Sequence, residues 1–371
     1  MKKMLSLAAV FAVLAYASPA SAELKLSGDA SMRLRGQFQD TQVNSNNVNN
    51  LTGENDLNFA YRLRLKGAAD LGGGYFFKTM LTNEDSNWTG LGAVGGWNTV
   101  TNNNLEHTEI AISQLYFGRM MQDSHWMVGR LPLGSMNNPI FDLALYPFSP
   151  ADIAVATVNM DRVFGLNYGC KVGSGEVGAT LVVFDNDSTD NSGADNDGLF
   201  NDAYALHLTY KDKIGDVTIE PQAIIGLTNL DGGTYSDITP NTFGANCSFP
   251  AGDVKVGVSA FYTTCNDTNF VPQNVDYSGY LLRLKGEMGS AMAWIDLNKT
   301  TDKTNAAGDI DYSNVFVWAQ YNFKMHESAT GTFSLTPTLR YWARSMDNKA
   351  GAGTKTDYSR LRTELVATVT F

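Results

Sequence analysis

Arginines recur at even spacing in four stretches of this chain: Arg33 and Arg35, Arg62 and Arg64 with Lys66 beyond them, Arg340 and Arg344, and Arg360 and Arg362. Successive side chains of an extended strand alternate between its two faces, so each set lies on one face. A guanidinium stays charged at physiological pH and is therefore no general base. A row of them supplies a fixed positive field and forked donors suited to anions. Asp29, Asp70 and Glu364 share those faces, so internal salt bridges are the second use the pattern allows.

Other residues that carry chemistry are sparser. Of the four histidines, His107, His125, His207 and His326, only His207 falls in mid-strand, with inward parity. No serine and histidine are paired by spacing, which leaves a membrane-embedded hydrolase as an alternative and a non-enzyme as the reading adopted. Gly90 to Gly95 fits a GxGxxG pattern without the strand-to-helix context that phosphate binding requires. Asp185, Asp187, Asp195 and Asp197 offer hard oxygen ligands for calcium but lack the glutamate spacing of a helix–loop–helix site; a solvated acidic loop explains them equally. No motif requires a cofactor. Cys247 and Cys265 are the nearest cysteine pair, yet in a hairpin centred on Pro250 to Asp253 they sit about nine residues, roughly 30 Å, out of register, so no disulfide is expected.

The elements that position these residues emerge from the chain ends and from the alternation. Residues 1–22 read as a cleaved export signal: Lys2 and Lys3, the apolar run Met4 to Ala17, then small residues up to Ala22. That run is shorter than the ~20 residues a spanning helix needs, and none later is as long. Residues 23–371 are therefore either released or built into an outer membrane as strands. Loss of Lys2 and Lys3 leaves 25 basic against 38 acidic residues, a net charge of −13, which argues against a nucleic-acid partner.

From Leu24 to Phe38 the even positions are apolar or small and the odd ones polar, and Leu57 to Leu71 repeats the pattern. Such segments, about nine to sixteen residues long, exceed ordinary soluble strands and suit a tilted span. Strands are expected near 24–39, 57–71, 75–83, 109–119, 125–131 and onward to 332–344 and 358–371, sixteen in all. Their connections alternate short and long. This predicts an all-β, closed antiparallel transmembrane barrel. Residues 109–131 alternate poorly, which leaves their register open. Phe and Tyr near strand ends, among them Phe38, Phe59, Tyr75, Tyr168, Tyr262, Tyr341 and Phe371, keep the lipid-facing parity expected of interfacial girdles.

The connection from Leu131 to Met160 is unusually apolar, with Phe141, Leu143, Tyr146, Phe148 and Ile153 around only two charges, Asp142 and Asp152. A freely solvated loop has little reason for that composition, so it is expected to pack against something. With Val128-Gly129-Arg130 before it, after the fifth strand, and with the alternating final strand ending on Phe371, the chain resembles the general porins of Gram-negative bacteria. The resemblance implies a water-filled channel for passive diffusion of small hydrophilic solutes and ions. The 131–160 connection becomes the third extracellular loop, folded into the barrel so that Asp142 and Asp152 face an arginine wall of Arg33, Arg35, Arg62, Arg64, Arg130, Arg340, Arg360 and Arg362. It further implies a homotrimer in outer-membrane lipid and lipopolysaccharide, with the 83–108 loop as its latch. A substrate-selective, anion-preferring channel and a surface-binding barrel are the neighbouring readings.

Overall fold

The computed structural model describes residues 23–45, 48–83, 97–99, 110–133, 163–185, 202–228, 230–232, 235–267, 274–349 and 353–371. Sixteen antiparallel strands form one sheet. The first eight are β1 (Glu23–Ser45), β2 (Val48–Gly72), β3 (Tyr75–Asn83), β4 (Ile110–Met120), β5 (Ser124–Leu131), β6 (Val163–Val172), β7 (Gly175–Asp185) and β8 (Ala203–Ile214). The second eight are β9 (Val217–Thr228), β10 (Asn241–Ala251), β11 (Val254–Asp267), β12 (Val275–Met288), β13 (Ala291–Asp302), β14 (Ile310–Tyr321, continued by Phe323–Ser328), β15 (Gly331–Asn348) and β16 (Thr354–Thr370). Each pairs with its sequence neighbours, and β16 pairs with β1 from Asp29↔Thr370 to Ser45↔Thr354, so the sheet closes into a barrel. A short extra strand, Asn98–Thr99, runs beside Ala60 and Tyr61 of β2, beyond the end of β3. No helix among the described residues is long and apolar enough to cross a membrane; the strands are the crossing elements.

The alternation explains both faces. Leu26, Met32, Leu57, Phe59, Phe164, Leu166 and Leu284 are each more than half exposed on the outer wall. So much contiguous apolar surface is untenable in water and fits lipid contact. Phe38, Phe59, Tyr75, Tyr168, Tyr262, Tyr280, Phe323, Tyr341 and Phe371 are likewise exposed outward, and Trp126 joins Tyr75 and Phe117 edge-to-face at 6.5 and 6.2 Å.

Three details depart from the sequence expectation. First, β1 and β2 remain paired out to Ser45↔Val48, past the expected ends at residues 39 and 57. Outside the bilayer both faces of a hairpin are wet, so the hydrophobic alternation stops while the backbone ladder continues. Second, β4 carries a bulge: Met80 faces Gln114 but Leu81 faces Ile112, which leaves Ser113 as an extra residue. Ile112 and Leu115 both point outward, while Ser113 and Tyr116 are buried within. One inserted residue reverses the parity, and this is why the stretch alternates poorly. Third, the hairpin between β10 and β11 turns at Gly252 and Asp253, so Cys247 faces Val258 and Cys265 lies seven residues beyond it.

Closure joins the two ends of the chain. The backbones of Gly28 and Phe371 exchange hydrogen bonds of 2.8 and 3.1 Å. A side chain at Gly28 would meet the Arg64 carbonyl oxygen at 2.5 Å and the Phe371 ring at 2.8 Å, so only glycine lets the terminal ring lie against the first strand. We expect Gly28→Val to weaken the seam: unheated samples on SDS gels should lose much of the compact barrel band, whereas Val at the neighbouring lipid-facing Ala30 should leave it intact.

Candidate functional site: the arginine and tryptophan wall

The inward positions on either side of the closure seam form a continuous polar wall over β2, β1, β16, β15 and β14. Glu364 of β16 sits at its centre, with its side chain almost fully buried. It accepts hydrogen bonds from Arg35 Nε and, at 2.6 Å, from Arg340 Nη2, and Arg33 Nε lies 4.0 Å away. Asp29 holds a second group: Arg64 Nε at 2.8 Å and Arg62 Nη2 at 3.5 Å. Arg362 Nε donates to Gln37 Oε1 at 2.6 Å. Two carboxylates thus organise five arginines.

Aromatic rings separate the cations. Trp97, from the segment tied to β2, has the guanidinium carbons of Arg33 and Arg62 at 4.4 and 4.8 Å from its ring centroid. Asn83 secures that segment by accepting from Leu63 N–H at 2.5 Å and donating to Asn98 Oδ1 at 2.9 Å. Arg340 lies 3.9 Å from the centroid of Trp318, which stacks on Trp294 at 4.8 Å and 12°. Trp294 in turn lies 5.6 Å from Arg283, whose guanidinium grips Asp296 with contacts of 2.6 and 3.0 Å. On the other side, Arg360 lies 4.9 Å from Trp342 and Arg344 lies 5.3 Å from Tyr312. A positive charge over a π face is attracted by the ring quadrupole. The rings therefore hold like charges side by side without neutralising them.

Arg33, Arg35 and Arg340 are each only 6% exposed. Yet Arg33 Nε, Arg35 Nη2, and Arg340 Nε and Nη1 have no hydrogen-bond acceptor among the described residues. Buried donors without acceptors are costly, and they are arranged here in one patch of one sign. Guanidinium groups are donors only, so the patch turns positive charge and hydrogen-bond donors toward the barrel interior.

Seven of the eight arginines expected in the wall, Arg33, Arg35, Arg62, Arg64, Arg340, Arg360 and Arg362, lie along these four adjacent strands, β2, β1, β16 and β15. Arg130 does not join them. It shares the outward parity of Trp126 and Val128, donates to the Ile112 carbonyl oxygen at 2.7 Å and lies over the exposed ring of Phe164. Both faces of β5 are largely apolar, so its parity gave no guide. Asp142 and Asp152 lie outside the described residues, as do Asp187, Asp195 and Asp197; Asp185 ends β7. Of the 131–160 loop only Leu131 and its two successors are described, and Leu131 and Leu133 are buried. Of the two partners proposed for the arginines alongside Glu364, Asp29 is one, whereas Asp70 accepts from the Gly72 backbone instead. His207 hydrogen-bonds Gln222 at 2.9 Å, and Gln222 donates to Glu220. The inward tryptophans and tyrosines were not anticipated, although Trp294 and Trp342 share the parity of Asp296 and Arg340 two residues away.

The family model of Gram-negative porins matches residues 8–333. No curated protein matches the chain. Solved structures of similar fold include the outer membrane channel DcaP of Acinetobacter baumannii, at 14% identity and a TM-score of 0.56, covering 95% of this chain and 99% of that one. OmpT of Vibrio cholerae, expressed in the outer membrane, is 12% identical with a TM-score of 0.53 and the same coverage. An anion-selective porin from Comamonas acidovorans is 13% identical with a TM-score of 0.51, covering 93% of this chain and all of that one. Closed sixteen-strand barrel, apolar outer belt, charged inner wall and family match agree: the chain belongs to the Gram-negative porin family.

Proposed function

We propose that residues 23–371, after removal of the leader 1–22, form a water-filled outer-membrane channel. Small hydrophilic solutes and ions cross it by passive diffusion, with anions preferred where the lumen is narrowest. The observation that carries this reading is the inward arginine patch around Glu364, buried and rich in donors without acceptors. The acidic chain as a whole attracts cations at its mouths, but charges in open water are screened over a Debye length of ~8 Å. Charges within a narrow passage stay inside that distance of every passing ion, so the arginines dominate. The 131–160 loop supplies the opposite side of the constriction, with Asp142 and Asp152 facing the wall. The protein is no enzyme, uses no cofactor, and assembles as a homotrimer among lipid and lipopolysaccharide.

Purified protein in a planar bilayer should conduct in large stable steps without an energy source, and its zero-current potential across a potassium chloride gradient should report modest anion preference. Replacing Arg33, Arg62 and Arg360 together by Gln should move that potential toward cation preference. The barrel is expected to survive, because Arg35 and Arg340 still hold Glu364 and Arg64 still holds Asp29. An unchanged potential would make the wall structural only.

Glu364→Gln tests the same electrostatics from the other side. Loss of a buried carboxylate among cations costs on the order of 3 kcal/mol, so thermal unfolding should come earlier while the surviving channels become more anion-selective. For assembly, crosslinking in mild detergent should capture trimers; a ladder ending at monomer would refute the oligomer.

A further inference from the structure

On the inner wall, toward the end of the barrel that carries the long connections, three strands enclose a cavity of about 250 Å³ lined by Thr41, Trp342, Arg344, Met346, Thr356 and Tyr358. Its chemistry differs from that of the arginine patch below it. Trp342 and Tyr358 form an aromatic corner, with ring centroids 4.9 Å apart at 63°. Both rings are fixed by hydrogen bonds: Trp342 Nε1 donates to Asn314 Oδ1 at 3.0 Å and the Tyr358 hydroxyl to Gln39 Oε1 at 3.2 Å. The guanidinium carbon of Arg360 lies 4.9 Å from the Trp342 centroid and 5.8 Å from that of Tyr358, and Arg344 is itself a lining residue. On the apolar side, Met346 continues into a buried cluster of Tyr312, Tyr277, Cys265, Val275 and Ile238.

A lumen that only passes hydrated ions has no use for an inward apolar corner, since the interior of such barrels is polar. We propose that this cavity is a binding subsite for small aromatic carboxylates. A planar ring would lie in the Trp342–Tyr358 corner against Met346, and its carboxylate would face Arg344 and Arg360. A carbohydrate fits less well. Its many hydroxyls need acceptors as well as donors, and the six lining residues offer as side-chain acceptors only the hydroxyls of Thr41, Thr356 and Tyr358, with no carboxylate. Hydrogen bonds that lock the rings in advance reduce the ordering cost of binding. Further in, Arg340 stands four residues along β15 from Arg344, about 13 Å at strand rise, so an anion released from the corner next meets the Glu364 group. The proposal deepens the anion-channel reading and rests on it for the route through the barrel.

Equilibrium dialysis of the folded detergent-solubilised protein against radiolabelled benzoate tests the subsite without requiring conduction. Saturable binding is expected, with acetate and benzyl alcohol competing more weakly by about tenfold or more, as expected when either the ring or the charge is lost. Trp342→Leu and Arg344→Gln should each weaken benzoate binding by a similar factor; the second variant keeps the test decisive if the first fails to give the compact barrel. In bilayers, benzoate should block chloride current at concentrations where acetate does not. Equal competition by acetate, preferential competition by glucose, or no saturable benzoate binding by a protein that conducts anions would overturn the subsite and leave the channel standing. Benzoate binding retained by a protein that does not conduct would overturn the channel and leave the subsite standing.

Discussion

Everything in this molecule depends on one constraint, that no backbone donor or acceptor within the hydrocarbon layer is left unpaired. A sheet meets it only by having no edges. The pairing of β16 with β1 removes the last two edges, and it joins residues as far apart in sequence as Asp29 and Thr370. The local cost of that constraint is visible at Gly28, where the backbone must admit the terminal phenylalanine ring. Once the ladder is closed, strand residues within the bilayer are assigned to lipid or to lumen by parity, interrupted at the Ser113 bulge, and the inner surface is free to carry charge.

The inner wall uses that freedom unevenly. Around the seam, carboxylates are few and central, and the arginines are spaced by indole and phenol rings. Salt bridges fix geometry, whereas cation–π contacts hold a guanidinium in place while leaving its charge uncancelled. Arg340 shows both: one nitrogen binds Glu364 while the plane lies over Trp318. The result is a surface whose field survives its own packing.

Much of this was legible in the sequence, for a physical reason: a period of two between lipid and water is imposed wherever a strand lies within the bilayer. That period puts Arg33 with Arg35, Arg62 with Arg64, and Arg360 with Arg362 on one face of their strands, the face that the closed barrel turns inward. Where the period loses its cause, the reading fails. Beyond the bilayer the lipid-facing half of the pattern has no cause, so the β1–β2 ladder past Asp40↔Gly53 became invisible. At Ser113 an inserted residue switches the faces. In β5, inward Met127 and Leu131 are as apolar as outward Trp126 and Val128, so Arg130 was assigned to the wrong side. The tryptophan corner was missed because aromatics were expected only at the lipid interface, although Trp342 sits between Arg340 and Arg344 in the same inward row.

The placement of the charge wall across the seam has a consequence for how the protein comes into being. Arg62, Arg33 and Arg35 belong to the first strands made, and Arg340, Arg360, Arg362 and Glu364 to the last. While the sheet is still open, its two margins carry incomplete halves of the site: Asp29 already holds Arg62 and Arg64, but Arg33 and Arg35 await the carboxylate on the far edge. Completion of the barrel and completion of its arginine wall are therefore a single event. A half-inserted chain carries two unmatched margins of charge, so an assembly intermediate caught in the membrane is a different electrical object from the finished protein.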